Sequence, residues 1–91
     1  MPPAGDAASG IVKRSVTIAG HSTSISLEEP FWRGLSYIAG TEGVSVAALL
    51  RRIDARRAGG GEAKRNLSSA IRLFVLDWLA SRAGIDLAAG A

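Results

Sequence analysis

The sequence predicts a mostly α-helical fold with a short β-ribbon and a third, C-terminal helix. Near Pro30 the apolar period lengthens from two residues, which is typical of a strand, to that of a helix. Two breaks divide the rest of the chain, Gly43-Val44-Ser45 and Gly59-Gly60-Gly61. The predicted order is therefore strand, helix, helix, glycine-rich link and helix.

Composition limits the kinds of function that the chain can have. Its 91 residues, of which 47% are hydrophobic, allow one small domain. The absence of cysteine excludes a disulfide framework and a thiolate metal site, and it fits a reducing cytoplasm. With a single histidine, His21, and scattered carboxylates, we expect no metal and no cofactor. The net charge of +3 weakly favours a polyanionic partner.

No apolar run approaches the about 20 residues of a membrane span, and the N-terminus lacks the apolar region of a signal peptide. We therefore expect a cytoplasmic protein without a membrane partner. The sequence also has no paired carboxylates at useful spacing, no nucleophile elbow and no phosphate-binding loop. These observations predict a protein that is not an enzyme and has no catalytic residue.

The N-terminal part divides into a leader and two β-prone segments. Residues 1–10 are small and rich in proline, glycine and alanine, which predicts a disordered leader. Residues 11–18 are β-prone, and a turn follows at Gly20. The first segment either folds back on the second as a hairpin or extends toward it, and the sequence leaves both open. In the second segment Thr23, Ile25 and Leu27 point one way, and Ser22, Ser24 and Ser26 point the other.

Local patterns predict the ends of the helices. Ser26 and Glu29 have the spacing of a capping box for a helix over residues 28–42, and Gly43 ends that helix. Ser45 caps a second helix, 46–57. A basic glycine-rich linker, 58–65, then leads to Asn66 and a C-terminal helix within 66–83, and the tail 84–91 is expected to fray. Four aromatic residues could stack on bases but are expected to be core or dimer contacts instead, namely Trp32, Tyr37, Phe74 and Trp78.

The apolar surfaces predict an intertwined homodimer. One strand with an apolar face cannot be stable alone, and two of the three helices are strongly apolar. Two copies would pair their strands antiparallel and close their helices beneath the ribbon. The residue pattern therefore favours a second copy of the chain as a partner.

The strand ending in Leu27, the acidic and proline-containing helix start and the turn Gly43-Val44-Ser45 resemble the ribbon-helix-helix superfamily, the Arc- and MetJ-like bacterial DNA-binding dimers. The resemblance covers about residues 21–57. The longer phrase from Arg14 to Glu28 is similar to a bacterial subgroup of poorly defined role, in which residues 66–72 would open a third helix.

This resemblance implies that a two-stranded ribbon enters the major groove of double-stranded DNA. The base-contacting residues would be Ser22, Ser24 and Ser26. Phosphate would be contacted by Ser45, Val46, Ala47, Lys13 and Arg14, with a basic patch at Arg51, Arg52, Arg56 and Arg57. The chain departs from the family where serines replace the longer side chains that read bases well, so the alternative of a solvated outer face stays open. For the charged residues the alternative is likewise a solvated surface.

Two functions follow from these patterns. The first is a homodimeric DNA-binding protein that regulates transcription, or an antitoxin-like repressor. The second is a protein-interaction module, antitoxin-like or an adaptor, that kept the fold but lost base-specific reading and binds a protein partner through the C-terminal helix.

Overall fold

The computed structural model of the chain describes residues 10–58 and 66–87, without the side chains of residues 57 and 58. Its elements in chain order are strands β1 (Ile11–Ile18) and β2 (His21–Glu28) and helices α1 (Glu29–Glu42), α2 (Val46–Ala58) and α3 (Leu67–Arg82). The predicted fold class, mostly helical with a short ribbon and a third helix, is confirmed. The leader up to residue 9, the linker residues 59–65 and the tail residues 88–91 lie outside the described residues.

The two strands form an antiparallel hairpin within one chain, with Ile18 opposite His21 and Val12 opposite Leu27. Ala19 and Gly20 connect them with φ angles of 51° and 85°. Two consecutive positive φ angles are those of a type I′ turn, whose twist matches that of paired strands. The hairpin alternative is therefore the correct one. Since β1 pairs with β2, a dimer no longer follows from an unpaired strand.

One face of the hairpin closes on the three described helices. Ile25 and Leu27 are buried there, as the alternation in β2 predicted, together with Ile18 of β1. The rest of the core comes from all three helices: Trp32, Leu35, Ile38, Ala39, Leu49, Leu50, Ile53, Ile71 and Val75. A single copy thus builds a hydrophobic core from all of these elements, without the second copy that the sequence pattern favoured.

The helix ends follow the sequence predictions, with one exception. Gly43 is left-handed at φ 72°, and the Val44 N–H donates to the Ala39 carbonyl at 3.0 Å, which closes a Schellman motif. The Asn66 side chain accepts from the Ser69 N–H at 3.1 Å. The predicted capping box of Ser26 and Glu29 is wrong, because β2 continues through Glu28 and no side chain caps α1. Ser26 is held in extended backbone by its pairing with β1.

Helix α3 is part of the core. Ile71 and Val75 are buried, and a Cβ built on Gly34 of α1 would stand 2.8 Å from Val75 Cγ1, so the two helices approach closely. The aromatic residues differ in burial. Trp32 is buried, Phe74 and Trp78 are partly buried, and Tyr37 is 56% exposed. Tyr37 is therefore not part of the core of one copy, and its ring meets Trp78 edge-on at a centroid distance of 5.9 Å.

Candidate nucleic-acid interface

The outer face of the hairpin is a nearly continuous polar surface. The register places Lys13 opposite Ser26, Ser15 opposite Ser24 and Thr17 opposite Ser22, and residues paired in this way share a face. The polar outer face is defined here as these six residues. Ser15 and Thr17 were missed at the sequence level, because only the hairpin register brings β1 alongside the serines of β2. The period-two pattern of β1, anchored on the Gly20 turn, was the sequence feature that would have revealed them.

The end of this face near Ser26 is tied to α3. The Ser68 hydroxyl donates to the Ser26 carbonyl at 2.9 Å, which covers part of the free edge of β2. Two residues further on, Arg72 reaches the Glu28 carboxylate, with Nε 2.8 Å from Oε1 and a second nitrogen 3.3 Å from Oε2. This hydrogen bond lowers the pKa of Glu28 below its ordinary value of 4.5. Helix α3 therefore fixes one end of the ribbon.

Lys13 and Arg14 lie on opposite faces of β1. Arg14 is paired with Ile25 and shares its face, where its guanidinium lies 4.9 Å from the centre of the Trp32 ring. Its guanidinium also lies 3.9 Å from one carboxylate oxygen of Glu29, and Arg33 lies 3.5 Å from the other oxygen. The two residues therefore do not share the polar outer face. Lys13 alone belongs to that face.

The start of α2 is capped by Ser45, as the sequence predicted. The Ser45 hydroxyl accepts from the Ala48 N–H at 3.0 Å, and the Leu49 N–H makes the bond to the Ser45 carbonyl at 3.0 Å. The N–H groups of Val46 and Ala47 precede the first backbone hydrogen bond of the helix, so no carbonyl of the helix accepts from them. Ala48 shares a groove with Ile18 and Ala19, which places the start of α2 beside the hairpin turn.

The arginines of α2 differ in their surroundings. Arg52 donates to Glu42 at 2.9 Å, and the Trp78 indole donates to the other oxygen of the same carboxylate at 3.0 Å. Both hydrogen bonds lower the pKa of Glu42, and the one from Arg52 has the larger effect. Arg51 and Arg56 are exposed and have no carboxylate partner within residues 10–58 and 66–87, and the Arg57 side chain lies outside the described residues. The predicted patch is thus partly neutralised.

The chemistry available here is hydrogen bonding and charge. Hydroxyl groups donate and accept, so the polar outer face can meet any base edge, while Lys13 and Arg51 supply positive charge at separate points. Across the described ranges no group of three or more His, Cys, Asp or Glu side chains could hold a metal ion. Within the same ranges no helix combines the length and apolar character needed to cross a membrane.

Comparison with known proteins confirms the resemblance and extends it. A family model described as the ribbon-helix-helix domain matches residues 11–79, which includes β1 and most of α3. The solved structure of an uncharacterized protein from Bordetella pertussis Tohama I is similar, with a TM-score of 0.72 and 28% sequence identity; the match covers 89% of this chain and 66% of that one. This chain therefore spans slightly less than two thirds of that protein. No curated protein matches the sequence. Because the family model covers most of the chain, the protein belongs to the ribbon-helix-helix domain family.

Proposed function

We propose that the protein is a DNA-binding regulator that places the polar outer face of its hairpin in the major groove. The observation that carries this proposal is the hairpin itself, with hydroxyl groups on both strands of one face and the core on the other. Paired strands lie about 4.8 Å apart, and a major groove about 12 Å wide admits a two-stranded ribbon. In a member of this family, we expect such a face to contact the base edges.

Affinity and sequence preference would have different sources in this arrangement. Serine and threonine are short and accept several base edges, so base reading by the polar outer face would be weak and partly water-mediated. Phosphate contacts would supply most of the affinity, from Lys13, from the start of α2 at Ser45 and from exposed Arg51. Regulation would follow from occupancy of a promoter by two copies of the chain, each with a complete ribbon.

The test is a fluorescence-anisotropy titration of the full chain with random duplex DNA at about 50 and about 200 mM salt. Several phosphate contacts should lower the affinity by orders of magnitude between the two conditions. Absence of binding at the lower salt concentration would contradict the proposal.

A charge placed on the polar outer face identifies the bound surface. Ser24→Asp sets a carboxylate in the middle of that face and should weaken binding strongly through repulsion from phosphate. Ser81→Asp makes the same change at an exposed serine of α3, so it is the matched control and should change affinity little. Equal effects of the two variants would mean that DNA does not bind through the hairpin.

The second candidate function is a protein-interaction module that has lost base reading. It is favoured by the chemistry of the polar outer face, whose one cation, Lys13, is accompanied by five hydroxyl-bearing residues. In that case DNA would not bind at about 50 mM salt, and Ser24→Asp would leave the behaviour of the protein on DNA unchanged.

A further inference from the structure

Lys13 is the one member of the polar outer face that combines length with charge. Its neighbours on that face, Ser15, Thr17 and the three serines of β2, have short side chains with one hydroxyl each. A hydroxyl both donates and accepts, so it can meet purines and pyrimidines alike. An ammonium only donates, and among the major-groove edges the two acceptors of guanine, O6 and N7, suit it best. Discrimination between bases therefore depends on Lys13 more than on its neighbours.

The hairpin backbone is anchored at the position of Lys13. The Trp32 indole donates to the carbonyl of Val12, the residue before it, at 2.9 Å. Directly opposite Lys13, the carbonyl of Ser26 accepts from the Ser68 hydroxyl at 2.9 Å. Helices α1 and α3 thus hold both strands at this pair. A side chain that distinguishes bases needs such support, because a displacement of about 1 Å is enough to loosen a binding site.

The Lys13 ammonium is available to a ligand. The carboxylates at this end of the hairpin are already bound, Glu28 by Arg72 and Glu29 by Arg14. Among residues 10–58 and 66–87, no carboxylate forms an ion pair with Lys13, whose side chain is exposed. An ammonium has three donors. Two of them can meet guanine while the third approaches a neighbouring phosphate, so base reading is compatible with a contribution to affinity.

We infer that Lys13 is the specificity-determining residue of the polar outer face and that it selects a guanine through O6 and N7. This inference rests on the proposed function, because it requires the hairpin to lie in the major groove. Thr17, at the other end of the face, is about 13 Å further along β1. That length is the rise of about four base pairs. The guanine therefore lies at one end of a short recognition sequence, and the hydroxyl groups add weaker preferences toward the turn.

The first experiment selects duplexes from a randomised library with the full chain and with variants of Lys13. Wild type should select a guanine at one position, and Lys13→Met should lose that preference. Lys13→Arg should retain it, because a guanidinium also donates to O6 and N7, whereas Lys13→Gln should select adenine, because an amide matches N6 and N7. Arg51→Met is the matched control, since it removes an exposed cation of α2 and should lower affinity without changing the preference.

The second experiment places base analogues at the selected guanine. 7-Deazaguanine lacks the N7 acceptor and should lower wild-type affinity by about two- to tenfold, because it removes one half of a bidentate contact. Hypoxanthine keeps O6 and N7 and lacks only the amino group in the minor groove, so the protein should bind it as it binds guanine. Lys13→Met should bind duplexes with any of the three bases equally.

The outcomes separate this inference from the proposed function. A guanine preference that persists in Lys13→Met, or a selected sequence without a guanine, would overturn the role of Lys13 and leave DNA binding intact. A loss of affinity in Lys13→Met with unchanged preference would make Lys13 a phosphate contact only. Absence of wild-type binding to any duplex would overturn the proposed function and this inference with it. Circular dichroism establishes that each variant folds as wild type does.

Discussion

Arg72 of α3 holds Glu28, the last residue of β2, with two nitrogens on its two carboxylate oxygens, at 2.8 and 3.3 Å. The two residues are 44 positions apart in sequence. The guanidinium also lies 5.9 Å from the centre of the Phe31 ring. One arginine therefore connects the end of the ribbon, the first turn of α1 and the C-terminal helix. An arginine is suited to this position because its planar fork matches both carboxylate oxygens.

This pair predicts a pH dependence of stability. The Arg72 hydrogen bond depresses the pKa of Glu28 in the folded state, so its contribution is present above the unfolded pKa and is lost as the pH falls through the folded pKa. Arg72→Met should lower the Tm by a few degrees at pH 7, and this difference from wild type should shrink below about pH 4.

Thermal denaturation of both proteins across this pH range measures the effect of the pair. Arg33→Met is the control, because the Arg33 side chain is 79% exposed and its ion pair with Glu29 should contribute little. A Tm difference between wild type and Arg72→Met that does not change with pH would mean that the arginine stabilises the fold by packing alone.

Two glycines of α1 should respond in opposite directions to the same substitution. Gly34→Ala places a methyl group 2.8 Å from Val75 Cγ1, which should destabilise the fold by about 1–2 kcal/mol after the gain in helix propensity is included. Gly40→Ala meets nothing within 4 Å and should stabilise the fold by about 0.5–1 kcal/mol. Urea denaturation measures both. If Gly34→Ala were as stable as Gly40→Ala, α1 and α3 could not be as close as described.

Ser45→Asp tests the phosphate contact without removing the helix cap, because aspartate is also a favourable N-cap residue. The added carboxylate should weaken DNA binding to a similar degree for all sequences. Asn66→Asp adds the same charge at the N-cap of α3 and should have a smaller effect. Anisotropy titrations with several duplexes compare the two variants, and unchanged affinity of Ser45→Asp would exclude the start of α2 from the interface.

Ser24→Ala tests whether the polar outer face reads bases. Loss of one hydroxyl at the centre of that face should change sequence preference more than overall affinity, because phosphate contacts remain. Selection from a randomised duplex library, carried out in parallel with wild type and Ser81→Ala, measures the preference. If the preferred sequences of Ser24→Ala and wild type were the same, the serines would be a solvated surface.

Removal of everything after residue 57 should unfold the protein. Ile71 and Val75 are fully or almost fully buried, and their loss would expose the apolar faces of α1 and β2 to water. Far-UV circular dichroism and urea denaturation of the shortened chain test this. A truncated chain that unfolds cooperatively and binds DNA as wild type does would show that α3 is an addition to an independent fold.

Local sequence features predicted the fold well, and contacts between distant residues did not follow from them. Gly43, Ser45 and Asn66 were placed correctly because a cap depends on a few neighbouring residues. The capping box at Ser26 was predicted wrongly, because the pairing of Ser26 with β1 across the hairpin keeps it in the strand. The role of α3 could not be predicted, because it depends on packing against Gly34, more than thirty residues earlier, and periodicity carries no information on which helix fills which groove.

The residues of the candidate interface show the same difference between features that are local in sequence and features that depend on strand pairing. The serines of β2 were found from alternation alone, whereas Ser15 and Thr17 required the pairing of two strands. Arg14 was grouped with Lys13 because the two are adjacent, although adjacent residues of a strand point to opposite faces. The apolar character of α3 was visible in the sequence, but its exposed leucines, Leu73, Leu76 and Leu79, could be separated from buried Ile71 only with the core in place.

The two-residue turn at Ala19 and Gly20 also determines how the protein folds. A ribbon shared between chains can form only after two molecules meet, so its folding slows on dilution. Here the strands are neighbours in sequence and the loop between them is as short as a hairpin allows, so ribbon formation is a unimolecular step on the microsecond scale. The refolding rate of the chain should therefore be independent of protein concentration, and a newly synthesised molecule can acquire its ribbon before it encounters another copy.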